Sequence, residues 1–176
     1  YPGHTELLQA EGAPQGCPPA PVRMMLANEE LRTVLHSIHV SLREAIDAVQ
    51  AEPLLQTLQI THRALSAMLG RAPRIAVAGL NPHAGEDGTM GKEDGTVIAD
   101  AVAALRRQGR EVLGPLAADT LFHADARRTY DAALCMYHDQ ALIPIKTLAF
   151  WSGVNVTLGL PIVRTSPDHG TALSIA

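Results

Sequence analysis

Three histidines each follow a predicted strand, and imidazole is the commonest metal ligand in proteins. They are His39, His83 and His138. The carboxyl ends of parallel strands lie at one edge of a sheet, where ligands bind, so the three side chains could meet there. Three imidazoles with one open coordination position form a known catalytic arrangement for zinc and related ions. In the alternative interpretation, His39 is a capping residue and His83 belongs to a plain connecting loop.

A second group of side chains suits a phosphate. Lys146 offers a point charge, Arg164 a bidentate fork and Asn155 an amide donor. Arg164 lies in an otherwise apolar predicted strand, so its charge needs a partner. A phosphate could be that partner, and a structural salt bridge to Asp168 is the alternative.

Two aspartates and two N-terminal residues complete the candidates. Asp119 follows a short predicted strand and could orient a metal-bound histidine or accept a proton. Asp139 directly follows His138, and we interpret it as a residue of a helix N-terminus rather than a reactive group. His4 and Thr5 could add polar contacts to a ligand.

The elements that must position these residues alternate between strand and helix from residue 74 onward, which predicts a layered α/β sheet. A β-hairpin is predicted upstream, ending at His39. Ser41 is the predicted N-cap of the next helix, with Glu44 as its capping-box partner, and Pro53 is expected to separate that helix from another. Pro144 is expected near the first turn of the last helix. Strands are predicted at 22–27, 31–38, 74–80, 112–116, 131–136, 154–160 and 161–166, and helices at 42–51, 54–69, 97–108, 124–130 and 139–148.

The composition limits the possible functions. Apolar residues make up 47% and charged residues 18% of the chain, so it can bury a sizeable core. The net charge is −4 without a basic run, which argues against nucleic acid as a partner. The apolar runs are too short to span a bilayer, and the chain does not open on a secretory signal. Cys17 and Cys135 are predicted to be free thiols, so we expect a cytoplasmic protein.

Six short segments together resemble one enzyme family, 4-hydroxythreonine-4-phosphate dehydrogenase, which is the NAD-dependent enzyme of pyridoxal phosphate synthesis. The resemblance runs through the whole chain in order, and several separate motifs agree. The segments are GHTE at 3–6, LNPHAGE at 80–86, ADTLF at 118–122, MYHDQ at 136–140, VNVTLGLP at 154–161 and RTSPDHGTA at 164–172.

The resemblance implies a metal-dependent oxidation of 4-phosphooxy-L-threonine by NAD, followed by decarboxylation to 3-amino-2-oxopropyl phosphate. It implies a homodimer with its active site at the interface, so the metal ligands need not come from one subunit. The implied fold is similar to that of isocitrate and isopropylmalate dehydrogenases. The implied site residues are His39, His83 and His138 for a divalent metal (zinc, magnesium or cobalt), His4, Thr5, Lys146, Asn155 and Arg164 for the substrate, and His169, Gly170, Thr171 and Ala172 for the cofactor adenine.

Compared with the family, the chain lacks a preceding part and further helix at its end. We therefore expect residues 1–176 to be the C-terminal and dimerisation part of a larger two-domain enzyme, with an incomplete α/β/α sheet and doubtful turnover by itself. Residues 11–21 are expected to form a longer loop than the family usually carries. Three alternatives remain open: a paralogue acting on another phosphorylated hydroxy acid, a non-catalytic fragment that binds metal and phosphate, and a metal-dependent hydrolase using the same histidines.

Overall fold

The computed structural model of the chain describes residues 21–167, which contain one seven-stranded sheet. The strands are β1 (Arg23–Ala27), β2 (Arg32–Leu35), β3 (Ile75–Ala78), β4 (Val112–Leu116), β5 (Ala132–Cys135), β6 (Val154–Leu158) and β7 (Arg164–Pro167). Their spatial order is β4-β3-β5-β2-β1-β6-β7. The first four in this order run parallel, whereas β1, β6 and β7 join through antiparallel pairs. The carboxyl ends of β2, β3, β4 and β5 therefore lie at one edge, as the sequence predicts.

Helices cover both faces of this sheet and make the predicted α/β/α layers. The helices are α1 (Leu42–Asp47), α2 (Ala51–Leu69), α3 (Ala99–Arg107), α4 (Ala124–Arg127) and α5 (His138–Ala149). Alternate strand residues point to opposite faces, so neighbours in sequence enter different cores. Met25 packs in the core formed with α2 and α3, and Met24 packs in the core formed with α5.

Two prolines lie at other positions in the helices than predicted. The Ser41–Glu44 capping box at the start of α1 is confirmed. Pro53 does not separate the helices, because α2 begins at Ala51 and holds Pro53 in its first turn, where a missing N–H removes no helical hydrogen bond. Pro144 is the seventh residue of α5 and so lies beyond the first turn, in a helix that the burial of Ile145 holds against the sheet.

An ion-pair cluster ties the sheet together at its other edge, where β3 and β5 begin. The Asp131 carboxylate accepts two hydrogen bonds from Arg71, at 2.7 and 2.9 Å, and one from the Arg74 backbone N–H at 2.7 Å. These donors hold the pKa of Asp131 well below its usual range. The cluster lies at the opposite end of β5 from His138, so it is structural.

Two expectations drawn from composition can be compared with the fold. Cys135 is a free thiol buried in β5, and burial raises its pKa, whereas Cys17 lies outside the described residues. None of the helices within residues 21–167 has the length and apolar character needed to cross a bilayer.

Candidate active site at the carboxyl edge of the sheet

Two of the three predicted ligands, His39 and His138, lie side by side. Their ring centroids are 5.8 Å apart and their planes are tilted by 45°. His39 follows β2 and His138 opens α5 directly after β5, and these two strands are parallel neighbours. The pair lines a cavity of about 300 Å³ whose other walls include Val40 and Tyr137. The sheet topology therefore brings together two residues that are far apart in sequence.

The aspartate after His138 has a role that the sequence interpretation missed. Asp139 lies in the first turn of α5, as predicted, but its Oδ1 is also 2.7 Å from His138 Nδ1. A carboxylate on one ring nitrogen favours the tautomer with hydrogen on that nitrogen and leaves Nε2 with a free lone pair. Two imidazoles bound to one tetrahedral ion would have centroids roughly 5 Å apart. The donor set of His39 and His138 thus fits a metal ion.

Another histidine, His36, which is not a predicted ligand, stabilises the end of β2 that leads to His39. Its Nε2 lies 2.9 Å from the Ala48 carbonyl oxygen, and its Nδ1 lies 3.1 Å from Thr57 Oγ1. Burial lowers its pKa, nearby Arg23 lowers it further, and the hydrogen bond to Ala48 partly opposes both. His36 is therefore held neutral while it joins β2 to α1 and α2.

This lowered pKa predicts a pH-dependent stability. Because folding lowers the pKa of His36 from its ordinary value of about 6.5, protonation favours the unfolded chain. The stabilisation should be fully present above pH of about 6.5 and should decline as the pH falls below it. Urea midpoints measured across this range should show the decline. His36→Gln should reduce it, because His62, whose pKa burial also lowers, contributes the remainder. His123→Asn, at an exposed helix N-cap, should keep it. An unchanged slope in His36→Gln would contradict the assignment.

His83 lies in a different cavity from the other two histidines. That cavity, of about 360 Å³, is also lined by Asn81, Asp119, Tyr137 and Gln140. Within residues 21–167, no three His, Cys, Asp or Glu side chains are close enough together to hold a metal ion. The described part of one chain therefore presents two imidazoles together and the third separately, with Tyr137 lining both cavities.

The backbone that carries His83 winds in the left-handed sense. His83, Ala84, Glu86 and Asp87 have φ values of 53°, 51°, 40° and 54°, and Gly85 between them has 83°. Left-handed helical backbone costs about 1–2 kcal/mol for each residue that carries a Cβ atom. A strained run of this kind persists only where its surroundings enforce it, and such runs cluster at ligand and active sites. The strain therefore favours the interpretation of this segment as a ligand-binding loop over the alternative of a plain connecting loop.

Gln140 ties together the strand ends that precede His83 and His138. Its side chain is buried, its Oε1 accepts the Met136 backbone N–H at 2.8 Å, and its Nε2 donates to the Gly79 carbonyl at 2.7 Å. The first bond fixes the end of β5, and the second fixes the end of β3. The amide therefore adds to the pairing of β3 with β5 in fixing the relative position of the two cavities.

Asp119 lies at the strand end where the sequence predicts it. It belongs to a short 3₁₀ turn, Ala118–Thr120, after β4. The side chain is exposed and lines the His83 cavity together with a neighbouring cavity of about 330 Å³ that also contains Asp139. A carboxylate here can reach a ligand bound in either of these two cavities.

Two members of the predicted phosphate group share one face of the sheet. Asn155 pairs with Leu26, and Arg164 pairs with Thr157, whose Oγ1 accepts from Arg164 at 3.2 Å. Leu26 packs in the core under α5, so this is the face that α5 covers. Lys146 comes from α5, where its Nζ lies 5.1 Å from the Phe150 ring centroid. The structure thus places all three predicted phosphate residues on one side of the sheet.

Asn155 carries an unused acceptor. Its Nδ2 lies 3.1 Å from Met24 Sδ, but its Oδ1 is buried and has no hydrogen-bond partner among the described residues. A buried acceptor left unpaired costs about 1–3 kcal/mol, so the oxygen is suited to an incoming N–H or O–H group.

The family model for the pyridoxal phosphate biosynthetic protein PdxA matches residues 1–176. The chain belongs to the PdxA family. It is 61% identical over 178 residues to a 4-hydroxythreonine-4-phosphate dehydrogenase of Methylorubrum populi, covering 100% of this chain and 51% of that protein. A protein of the same name from Bradyrhizobium diazoefficiens is 56% identical, with the same coverage. The chain therefore spans about half the length of the curated relatives that it matches.

Solved structures support the same assignment. The crystal structure of 4-hydroxythreonine-4-phosphate dehydrogenase from Klebsiella pneumoniae is 44% identical with a TM-score of 0.87, and the match covers 99% of this chain and 51% of that one. A terephthalate 1,2-cis-dihydrodiol dehydrogenase from Burkholderia xenovorans is 28% identical with a TM-score of 0.82, over 99% of this chain and 54% of that one. The family resemblance and the predicted isocitrate/isopropylmalate dehydrogenase-like fold are both confirmed.

Several residues that the PdxA resemblance singles out lie outside the described part of the chain. The same is true of the loop at 11–21 and of Asp168, the alternative partner of Arg164. These assignments stay predictions. The site residues concerned are His4, Thr5, His169, Gly170, Thr171 and Ala172.

Proposed function

We propose that this member of the PdxA family forms the metal- and phosphate-binding part of an NAD-dependent dehydrogenase. The enzyme oxidises and decarboxylates 4-phosphooxy-L-threonine to 3-amino-2-oxopropyl phosphate in pyridoxine 5′-phosphate synthesis. The proposal rests mainly on the His39–His138 pair at the carboxyl edge of the sheet. The relatives of the chain bear the name of this dehydrogenase, which supports it. The phosphate-suited residues on the face under α5 support the choice of substrate.

His39, His83 and His138 hold the divalent cation in this proposal. When bound, that cation supplies Lewis-acid stabilisation of negative charge on the substrate oxygens. Asp139 keeps His138 Nδ1 protonated and its Nε2 available. Because these ligands are neutral, they leave the full positive charge of the cation facing the substrate.

A second copy of the chain completes the site in this proposal. One chain presents His39 and His138 in one cavity and His83 in another, so a site with three histidines needs ligands from two chains. Val40, Leu42 and Ile46 lie near His39 and are 49%, 60% and 43% exposed. Apolar side chains grouped around a polar site mark a surface that binds another protein, and here we assign the partner subunit.

The phosphate of the substrate is held by Lys146 and Arg164, and the unpaired Oδ1 of Asn155 accepts a hydrogen bond from an N–H or O–H group of the substrate. By binding the phosphate, Lys146 and Arg164 fix the position of the reacting carbon relative to the cofactor, which removes much of the entropy cost of the reaction. Asp119 accepts the proton of the secondary hydroxyl as hydride leaves the same carbon. Bound NAD supplies the hydride acceptor, and His169, Gly170, Thr171 and Ala172 are assigned to its adenine end. The carbon–carbon bond to the carboxyl group then breaks, carbon dioxide leaves, and the product carbon takes up a proton.

The test uses the protein expressed from its complete gene and loaded with zinc, cobalt or magnesium ions. With 4-phosphooxy-L-threonine and NAD, NADH should form together with carbon dioxide, and omission of the metal should stop both. The unphosphorylated amino acid is the control substrate and should react far more slowly. Phosphate release without NAD would instead identify a hydrolase, and rapid NADH formation only with another phosphorylated hydroxy acid would identify a paralogue.

Replacing Arg164 with Ala should raise KM for the phosphorylated substrate and lower kcat/KM by about 10²-fold, because a charge-assisted bond to phosphate contributes about 1.5–3 kcal/mol. Steady-state kinetics would measure this loss. Arg128→Ala is the matched control, since Arg128 is exposed and its ion pair within residues 21–167 is with Asp125, three residues earlier. Equal KM values in the two variants would remove Arg164 from the phosphate site.

A further inference from the structure

Asp94 is a buried carboxylate that holds the base of the left-handed turn. Its side chain is completely buried, and both of its oxygens accept hydrogen bonds. Oδ1 accepts the Leu80 backbone N–H at 2.7 Å, and Oδ2 accepts the Asn81 backbone N–H at 3.1 Å and Asn81 Nδ2 at 2.8 Å. The negative charge of Asp94 is therefore stabilised by hydrogen bonds from the two peptide N–H groups that lead from β3 to His83.

The residues around this carboxylate are closely packed, which restricts the conformation of the turn. A Cβ atom on Gly85 would lie 2.8 Å from the Gly91 carbonyl oxygen, and a Cβ atom on Gly91 would overlap the Asn81 side chain. The turn is thus packed against the segment that leads into Asp94. His83 follows Asn81 by two residues, so its orientation depends on the peptides that Asp94 holds.

We infer that Asp94 is a positioning residue for His83, which it orients toward the metal that the proposed function assigns. The inference rests on that proposed metal site. The backbone N–H groups of Leu80 and Asn81 both bond to this one carboxylate, which fixes the direction of the chain where it leaves β3. Its effect on the metal is indirect, as with the carboxylates that orient metal-bound histidines in other sites.

The substitution Asp94→Asn tests this with little change in shape. Asparagine keeps one oxygen, but its NH₂ group must face either the Leu80 N–H or the two Asn81 donors. In either orientation of the amide, the hydrogen bonds on one side of the residue are therefore lost. Asp131→Asn is the matched control, because Asp131 also accepts a backbone N–H and lies at the opposite edge of the sheet. Both variants should unfold at lower temperature than the parent protein.

The deciding readout is cobalt binding by the protein expressed from its complete gene. Co²⁺ affinity is measured by competition with a chelator, and the visible absorption of bound Co²⁺ reports its ligands. Asp94→Asn should weaken Co²⁺ binding by about 10–100-fold and shift the absorption toward that of His83→Ala. Asp131→Asn should leave both properties unchanged. Asn81→Ala, which removes only one donor to Asp94, should give a smaller change in the same direction and serves if Asp94→Asn does not fold.

Two outcomes would overturn the inference in different ways. If His83→Ala weakens Co²⁺ binding while Asp94→Asn and Asn81→Ala only lower stability, His83 is a ligand and Asp94 is not its positioning residue. If His83→Ala leaves Co²⁺ binding unchanged, the proposed three-histidine site itself is wrong, and the role of Asp94 falls with it.

Discussion

His138→Ala is expected to abolish stoichiometric metal binding and to lower kcat/KM by about 10³-fold or more, since Lewis-acid stabilisation contributes several kcal/mol to the transition state. His138 lies 5.8 Å from His39 between ring centroids and is oriented by Asp139. Alanine removes the ligand and leaves His39 alone in its cavity. Elemental analysis after dialysis would measure the metal, and NADH formation would measure the activity.

The control for this variant is His62→Gln. His62 lies within α2, where its Nδ1 is 3.5 Å from Ser66 Oγ, and it lines none of the three cavities described above. This variant should keep the metal content and activity of the parent protein. A His138→Ala protein that still holds one metal ion per chain would show that the histidine site is assigned to the wrong residues.

Asp119→Asn is expected to lower kcat by about 10²–10⁴-fold with little change in KM, because asparagine keeps the shape of the side chain but accepts no proton. Asp119 is exposed to the cavity that contains His83 and contributes no core packing, so the loss should be chemical rather than structural. Steady-state kinetics over a range of pH would measure it.

Asp125→Asn provides the comparison, since Asp125 is an exposed aspartate in the first turn of α4 that pairs with Arg128. It should leave kcat unchanged. If the two variants have equal kcat, Asp119 does not accept the proton of the substrate. A change in KM alone would instead make Asp119 a substrate-binding residue.

The elements of the fold follow closely from local sequence. The order of the strands and helices, the Ser41–Glu44 capping box and the α/β layering depend on hydrophobic periodicity and on contacts between near neighbours, and the structure confirms them. Several elements are shorter than predicted, such as α1, which ends at Asp47. The errors are also local. Pro53 was expected to separate two helices, but it lies in the first turn of α2, where proline is tolerated.

Sequence by itself determined the family, the layered sheet and the placement of His39, His83 and His138 after strands that end at one edge. Only the tertiary structure decided that His39 and His138 share a cavity while His83 lies apart. It also revealed the left-handed turn, the Gln140 amide bound to Gly79 and the Asp94 carboxylate below His83. The physical reason is that the contact of Asp94 with Leu80 joins residues 14 positions apart and that of Gln140 with Gly79 joins residues 61 apart, while His39 and His138 are farther apart still. Each of these contacts depends on strand order and backbone direction. Neither property is encoded in the spacing of residue types along the chain.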